Sequence, residues 1–142
     1  MSTLVVDASV AIKWIITEED SPRALSLRPR YSIIAPQLIY AECTNIIWKK
    51  ARRGEILSSM VGEYADVVAD LDINTASLRG LTTQASRLSQ IHDHPTYDCF
   101  YLALALTEGC LMVTADQSFY RKLWQSGRPE REACVLLRDV DI

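Results

Sequence analysis

The stretch from His94 to Tyr120, HPTYDCFYLALALTEGCLMVTADQSFY, leaves the chain few folds to choose from. Pro95 and Thr96 form a helix start, and YDCFYLALALTE is apolar along a helical run that Gly109 closes. LMVT follows as a short apolar strand and delivers Asp116 at its carboxyl end. A second helix begins at once. Asp98 falls in the first turn of the long helix, where the positive end of the helix dipole tolerates a carboxylate. Helix, tight turn, buried strand and helix in that order are the unit of a parallel sheet, so the rest of the chain must supply further strands beside this one.

It does. TLVVD is a continuous apolar run ending in Asp7, as an inner parallel strand would. ASVAIKWIIT is expected as the next helix, with Val10, Trp14 and Ile15 inward. Glu18 to Leu27 makes a weaker helix around Pro22, and SIIA a second strand. Pro36 opens PQLIYAECTNIIWKKARRG, an amphipathic helix with Leu38, Ala41, Asn45 and Trp48 along one side and Gly54 as its stop. A helix over Ser58 to Asp70 follows, with Met60, Val61, Tyr64, Val67 and Val68 as its core stripe. LDIN is a small strand, Thr75 to Ile91 another helix, and ACVLLRDV the last strand. The alternation predicts a three-layer α/β/α sandwich with a mainly parallel sheet, formed by residues 1–142 as a single domain.

Composition narrows the class. At 142 residues, 49% apolar and 23% charged, the chain can build a full core without disulfide or metal staples. No apolar run spans a membrane and no signal peptide is visible, so a cytoplasmic protein is expected. Cys43, Cys99, Cys110 and Cys134 lack CxxC spacing and read as buried reduced thiols. A net charge of −3 is not that of a generic nucleic-acid binder, although acids gathered around a metal would lower the total.

Four acids stand out. Ligands of open parallel sheets bind beyond the carboxyl ends of the strands, where Asp7 and Asp116 stand. Either acid alone is as readily a helix cap, and Asp98 alone is as readily helix-start electrostatics. Glu42 is harder to place, because it lies among apolar residues in the second turn of its helix, and charged groups are rarely buried unpaired. Asn45, three residues on, would share its face. Lys13 is the only base near Asp7 in sequence. If the four acids converge, repulsion raises their pKa values or draws in a divalent cation. Oxygen ligands without cysteine or paired histidine favour Mg²⁺ or Mn²⁺ over zinc. His92 and His94 are the only histidines, too few for structural zinc. Lys49, Lys50, Arg52 and Arg53 suit the carboxyl end of a helix, with an RNA-backbone contact as the alternative. Tyr97, Phe100, Tyr101 and Leu104 read as core.

VVDASVAIKW, APQLIYAECTNIIWKKARRGEI, HPTYDCFYLALA and VTADQSFY, in this order, resemble the PIN-domain ribonucleases, and among them the VapC-type toxins of toxin–antitoxin modules. The resemblance runs from Leu4 to about Leu137. It implies that Asp7, Glu42, Asp98 and Asp116 are the metal-site and catalytic acids. Ser9 and Thr114 match the hydroxyl residues beside the first and last acid, and Asn45 a polar residue near the site. It further implies Mg²⁺- or Mn²⁺-dependent endonucleolytic cleavage of RNA, a cognate antitoxin protein, and a homodimer. Two other classes compete: a PIN-like module that only binds, and a receiver-type signalling domain. A receiver needs adjacent acids after the first strand and a lysine after a late one, and neither is present.

Overall fold

A computed structural model describes residues 1–142. Five parallel strands, β1 (Thr3–Val6), β2 (Ser32–Pro36), β3 (Asn74–Ala76), β4 (Leu111–Thr114) and β5 (Cys134–Leu136), form one sheet in the order β3-β2-β1-β4-β5. Every pairing is parallel, including the tail strand, in which Leu136 faces Thr114. The helices are α1 (Ala8–Ala11), α2 (Ser21–Ser26), α3 (Leu38–Arg52), α4 (Val61–Ala69), α5 (Thr82–His92), α6 (Thr96–Glu108) and α7 (Gln117–Gln125). Strand order runs outward from β1 through β2 to β3, then returns to β4 on the other side of β1. With right-handed crossovers, that reversal places α1–α4 on one face of the sheet and α5–α7 on the other. The gap between β1 and β4 is the switch point.

The centre of the core explains why the inner elements are apolar throughout. Val5, Val6, Met112 and Val113 are wholly buried on the two central strands, and α6 contributes Cys99, Tyr101, Leu102, Ala103 and Ala105 against them. Gly109 ends α6 in the left-handed conformation (φ 64°), so the chain turns directly into β4.

Several boundaries and faces differ from the sequence expectation. The first helix shortens to Ala8–Ala11 and passes into a 3₁₀ turn over Ile12–Trp14. Trp14 is half-buried at its edge, donating to the Ala24 carbonyl at 2.8 Å beneath the Arg28 guanidinium. Thr75 belongs to β3, and α5 begins only at Thr82. Along α3 the buried stripe is Ile39, Cys43 and Ile47, not the side carrying Ala41, Asn45 and Trp48. Trp48 is 51% exposed with Arg52 over its ring. Val67 and Tyr97 are also exposed rather than core, whereas Tyr101 and Leu104 are buried. No helix is long and apolar enough to cross a membrane.

Candidate active site

Local rules place the first acid. Asp7 leaves β1 in extended geometry and caps α1, its Oδ1 accepting from the Val10 N–H at 3.2 Å. The Ser9 hydroxyl donates to the same oxygen at 2.5 Å, and the Thr114 hydroxyl donates to Oδ2. Ser9 also accepts from the Ala115 N–H, and Thr114 from the Asp116 N–H. The two hydroxyls thus tie the carboxyl ends of β1 and β4 across the switch point. Ser9 lies beside the first acid, while Thr114, expected beside the last, bonds the first acid with its hydroxyl and accepts the backbone N–H of the last.

The other acids reach this edge from three more elements. Asp116 caps α7, accepting from the N–H groups of Ser118 and Phe119. Asp98 sits in the first turn of α6, which points its amino end toward the same edge of the sheet. Glu42 comes from the second turn of α3, half-buried. Asn45 lies nearby on α3, exposed and without a side-chain hydrogen bond.

Burial and weaker mutual charge effects act on these acids. Burial pushes the Asp7 carboxyl up to about 7, against the pull of the Ser9 and Thr114 hydrogen bonds, and the Asp98 charge adds to the rise. Glu42 is raised by burial and by Asp98. Asp98 is raised by burial and by Asp116, with His94 opposing. The Cys134 thiol beneath them is raised by burial and by Asp7, Asp98 and Asp116 together. None of the four forms an ion pair with lysine or arginine. Lys13, the nearest base in sequence, turns instead to Glu18 at 2.7 Å and Asp20 at 2.8 Å.

Two residues of the site were not visible in the sequence reading. His94 Nε2 lies 2.6 Å from Asp98 Oδ2, and its ring rests on Phe119 of α7 with centroids 4.6 Å apart. The i,i+4 spacing of His94 and Asp98 across the helix start was the available signal. His92 faces elsewhere, toward Glu130 at 3.2 Å, so the HxH pair does not share a ligand. Tyr101, read as plain core, is wholly buried, with its hydroxyl left without a partner of good geometry beside the Glu42 carboxyl. Burial and the charges of Glu42 and Asp7 hold that phenol far above its ordinary pKa.

These observations test the fit of a divalent cation. No three His, Cys, Asp or Glu side chains are gathered closely enough to hold a metal ion by themselves. A zinc site needs such a gathering, whereas Mg²⁺ keeps several waters and takes one or two carboxylates plus substrate phosphates. Oxygen-only donors, carboxylates raised by burial and further by a neighbouring carboxylate, and an orphaned buried hydroxyl suit the second case.

The fold defines a class: an α/β/α protein with a five-stranded, all-parallel sheet whose order reverses at β1. The chain belongs to the PIN-domain family, whose profile matches residues 4–123. Among solved structures it is similar to the VapC20 toxin of Mycobacterium tuberculosis, described as cleaving the sarcin-ricin loop. That match has a TM-score of 0.65 at 15% identity, over 83% of this chain and 93% of the other. It is also similar to PAE2754 from Pyrobaculum aerophilum, with a TM-score of 0.67 at 19% identity, over 96% and 92% of the two chains. At such identities the likeness is one of fold. No curated protein sequence matches the chain.

Proposed function

We propose that this protein is a Mg²⁺- or Mn²⁺-dependent endoribonuclease and the toxin of a toxin–antitoxin module, with residues 1–142 acting as one catalytic domain. The observation that carries the reading is electrostatic. Asp7, Glu42 and Asp98, from three separate elements, are all held above the ordinary carboxylate range at one edge of the sheet, with no lysine or arginine bridged to them. Acids raised by burial and by a neighbouring carboxylate are candidates for a functional site. PIN-family membership and the fold shared with a ribonuclease toxin support the same reading.

Asp7 and Asp98 would be the principal ligands of the cation, with Glu42 and Asp116 completing the site. When bound, the cation supplies positive charge that lowers the pKa of a water and offsets charge developing on the phosphate. The chain's own part is to orient. Ser9 and Thr114 fix both oxygens of Asp7, and His94 fixes Asp98. Glu42 and Asp116 aim the attacking water in line with the leaving 3′ oxygen, giving a 5′-phosphate and a 3′-hydroxyl. An antitoxin protein and a second copy of the chain are the expected partners.

The test is purified protein with RNA, read on a denaturing gel with Mg²⁺, with chelator, and after Mg²⁺ is restored. Cleavage that follows the metal and disappears in Asp98→Asn supports the reading. Cleavage indifferent to both overturns it. The competing reading, a PIN module that only binds, has in its favour that no three such side chains are gathered closely enough to hold a metal ion by themselves. It predicts RNA or protein binding with no cleavage under any metal.

A further inference from the structure

The acids account for bond cleavage but not for how an acidic chain holds RNA. Beside them lies a groove of about 370 Å³, lined by Gln117, Tyr120, Arg121, Trp124, Leu136 and Arg138. That volume falls within the roughly 300–1,000 Å³ usual for small-ligand pockets. Larger cavities lie elsewhere, one of about 530 Å³ along Leu88 and Leu106 and one of about 670 Å³ at the opposite, amino edge of the sheet around Thr3 and Leu111.

Three features single out the smaller groove. The first is position. Gln117 follows Asp116 directly, and Leu136 stands opposite Thr114 in the β4–β5 register. The groove therefore starts at the acid cluster. Gln117, Tyr120, Arg121 and Trp124 recur at helical spacing along one face of α7, so the groove runs away from Asp116 for about 12 Å. The second is aromatic surface. Tyr120 and Trp124 pair at 5.9 Å, Trp124 is 36% exposed, and the Arg131 guanidinium lies 4.7 Å from the indole centre. The third is charge. Arg121 is exposed with no carboxylate partner, while Arg138 and Arg131 have only loose contacts, to Asp139 at 3.8 Å and Glu132 at 3.7 Å.

Aromatic rings next to arginines, without an ordered set of base-reading groups, are the surface that single-stranded nucleic acid uses: bases stack and phosphates meet guanidinium groups. We propose that this groove is the subsite for the RNA strand flanking the bond to be cut, with a base stacked at Tyr120 and Trp124 and phosphates at Arg121 and Arg138. The proposal rests on the ribonuclease reading for the identity of the strand. It explains how a chain of net charge −3 engages RNA, since the positive charge need only be local.

The experiment separates binding from cleavage. Purified full-length protein in chelator is titrated with a short fluorescein-labelled oligouridylate, read by anisotropy and by quenching of intrinsic tryptophan fluorescence. Trp124→Ala should weaken binding about tenfold or more and remove most of the quenching, and Trp124→Phe should restore affinity without the quenching. The double variant Arg121→Ala/Arg138→Ala should reduce the slope of log affinity against log salt by roughly 0.7 per lost phosphate contact. Trp48→Phe, on the far side of the molecule, should change neither. Wild-type binding by both groove variants, with unaltered melting curves, overturns the proposal even if the protein cleaves RNA. Competition by polyglutamate as effective as by oligouridylate also overturns it, since an acidic protein segment would then be the occupant. Binding with the expected dependencies but no cleavage under Mg²⁺ leaves the groove standing and removes the nuclease reading.

Discussion

Two groups of acids in this fold are treated in opposite ways. Glu18 sits between Lys13 and Lys50, at 2.7 and 2.8 Å, with Asp20 bonded to Lys13 as well. Burial would push Glu18 upward, but the two ammonium groups outweigh it and the carboxyl is held below its ordinary value. Asp7, Glu42 and Asp98 are also buried or half-buried, form no ion pair with lysine or arginine, and are held above it, chiefly by burial. The first group is complete within the chain. The second lacks such partners, and the proposed metal site rests on that difference.

The largest expected effect breaks the second group chemically. Asp7→Asn should lower RNA cleavage by orders of magnitude while circular dichroism shows an intact fold, because the amide keeps an oxygen for the Val10 cap. Cleavage at the wild-type rate by the purified variant would remove Asp7 from the mechanism.

A second test exploits the opposite pH signs. A carboxyl raised in the folded state holds its proton there more tightly than in the unfolded chain. The Asp7 contribution is therefore fully present below pH 3.8 and is lost as pH rises to about 7. At about 1.36 kcal/mol per pKa unit, the loss is on the order of 4 kcal/mol. Glu18, lowered in the folded state, contributes above its unfolded pKa and loses that contribution as pH falls. Thermal melts in chelator across this range should show Asp7→Asn gaining on wild type as pH rises. Glu18→Gln should lose ground in the same direction. Parallel curves for all three proteins would mean the two groups are electrostatically alike.

Adding Mg²⁺ sharpens the comparison. At a hundred times its dissociation constant, a cation bound only by the folded state stabilises by about 2.7 kcal/mol. The melting temperature of wild type should rise, and that of Asp116→Asn should rise less. Equal shifts in the two proteins would place the cation elsewhere.

The smallest effects belong to the completed network. Lys13→Met leaves Glu18 and Asp20 short of a partner and should cost about 1–3 kcal/mol. Lys50→Ala, at a more accessible pair, should cost about 0–1 kcal/mol. RNA cleavage should be unchanged in both. A large loss of cleavage in Lys13→Met with its melt intact would join the two groups into one functional unit.

The sequence by itself determined the parallel sheet and the alternation of its strands with helices, and it singled out the four acids as candidates. Those signals are local or periodic: apolar runs ending in Asp7 and near Asp116, a helix opened at Pro95 and Thr96, a glycine at position 109 able to take a positive φ. The buried face of α3 is not legible in the sequence, because a wide apolar surface offers two stripes and only packing against α1 and β2 selects Ile39, Cys43 and Ile47. Thr75 could be strand or helix until β2 supplied its pairing partner, Ala35. What the tertiary structure alone decided is company. It set His94 on Asp98 and Phe119, an unpartnered Tyr101 hydroxyl beside Glu42, Lys13 with Glu18 rather than Asp7, and the aromatic–arginine groove next to Asp116. Such contacts join residues far apart in the chain, through a sheet order that reverses at β1. The sequence sets each side chain's chemistry, but a charge shift or a shared groove depends on distances that exist only once the crossovers are made.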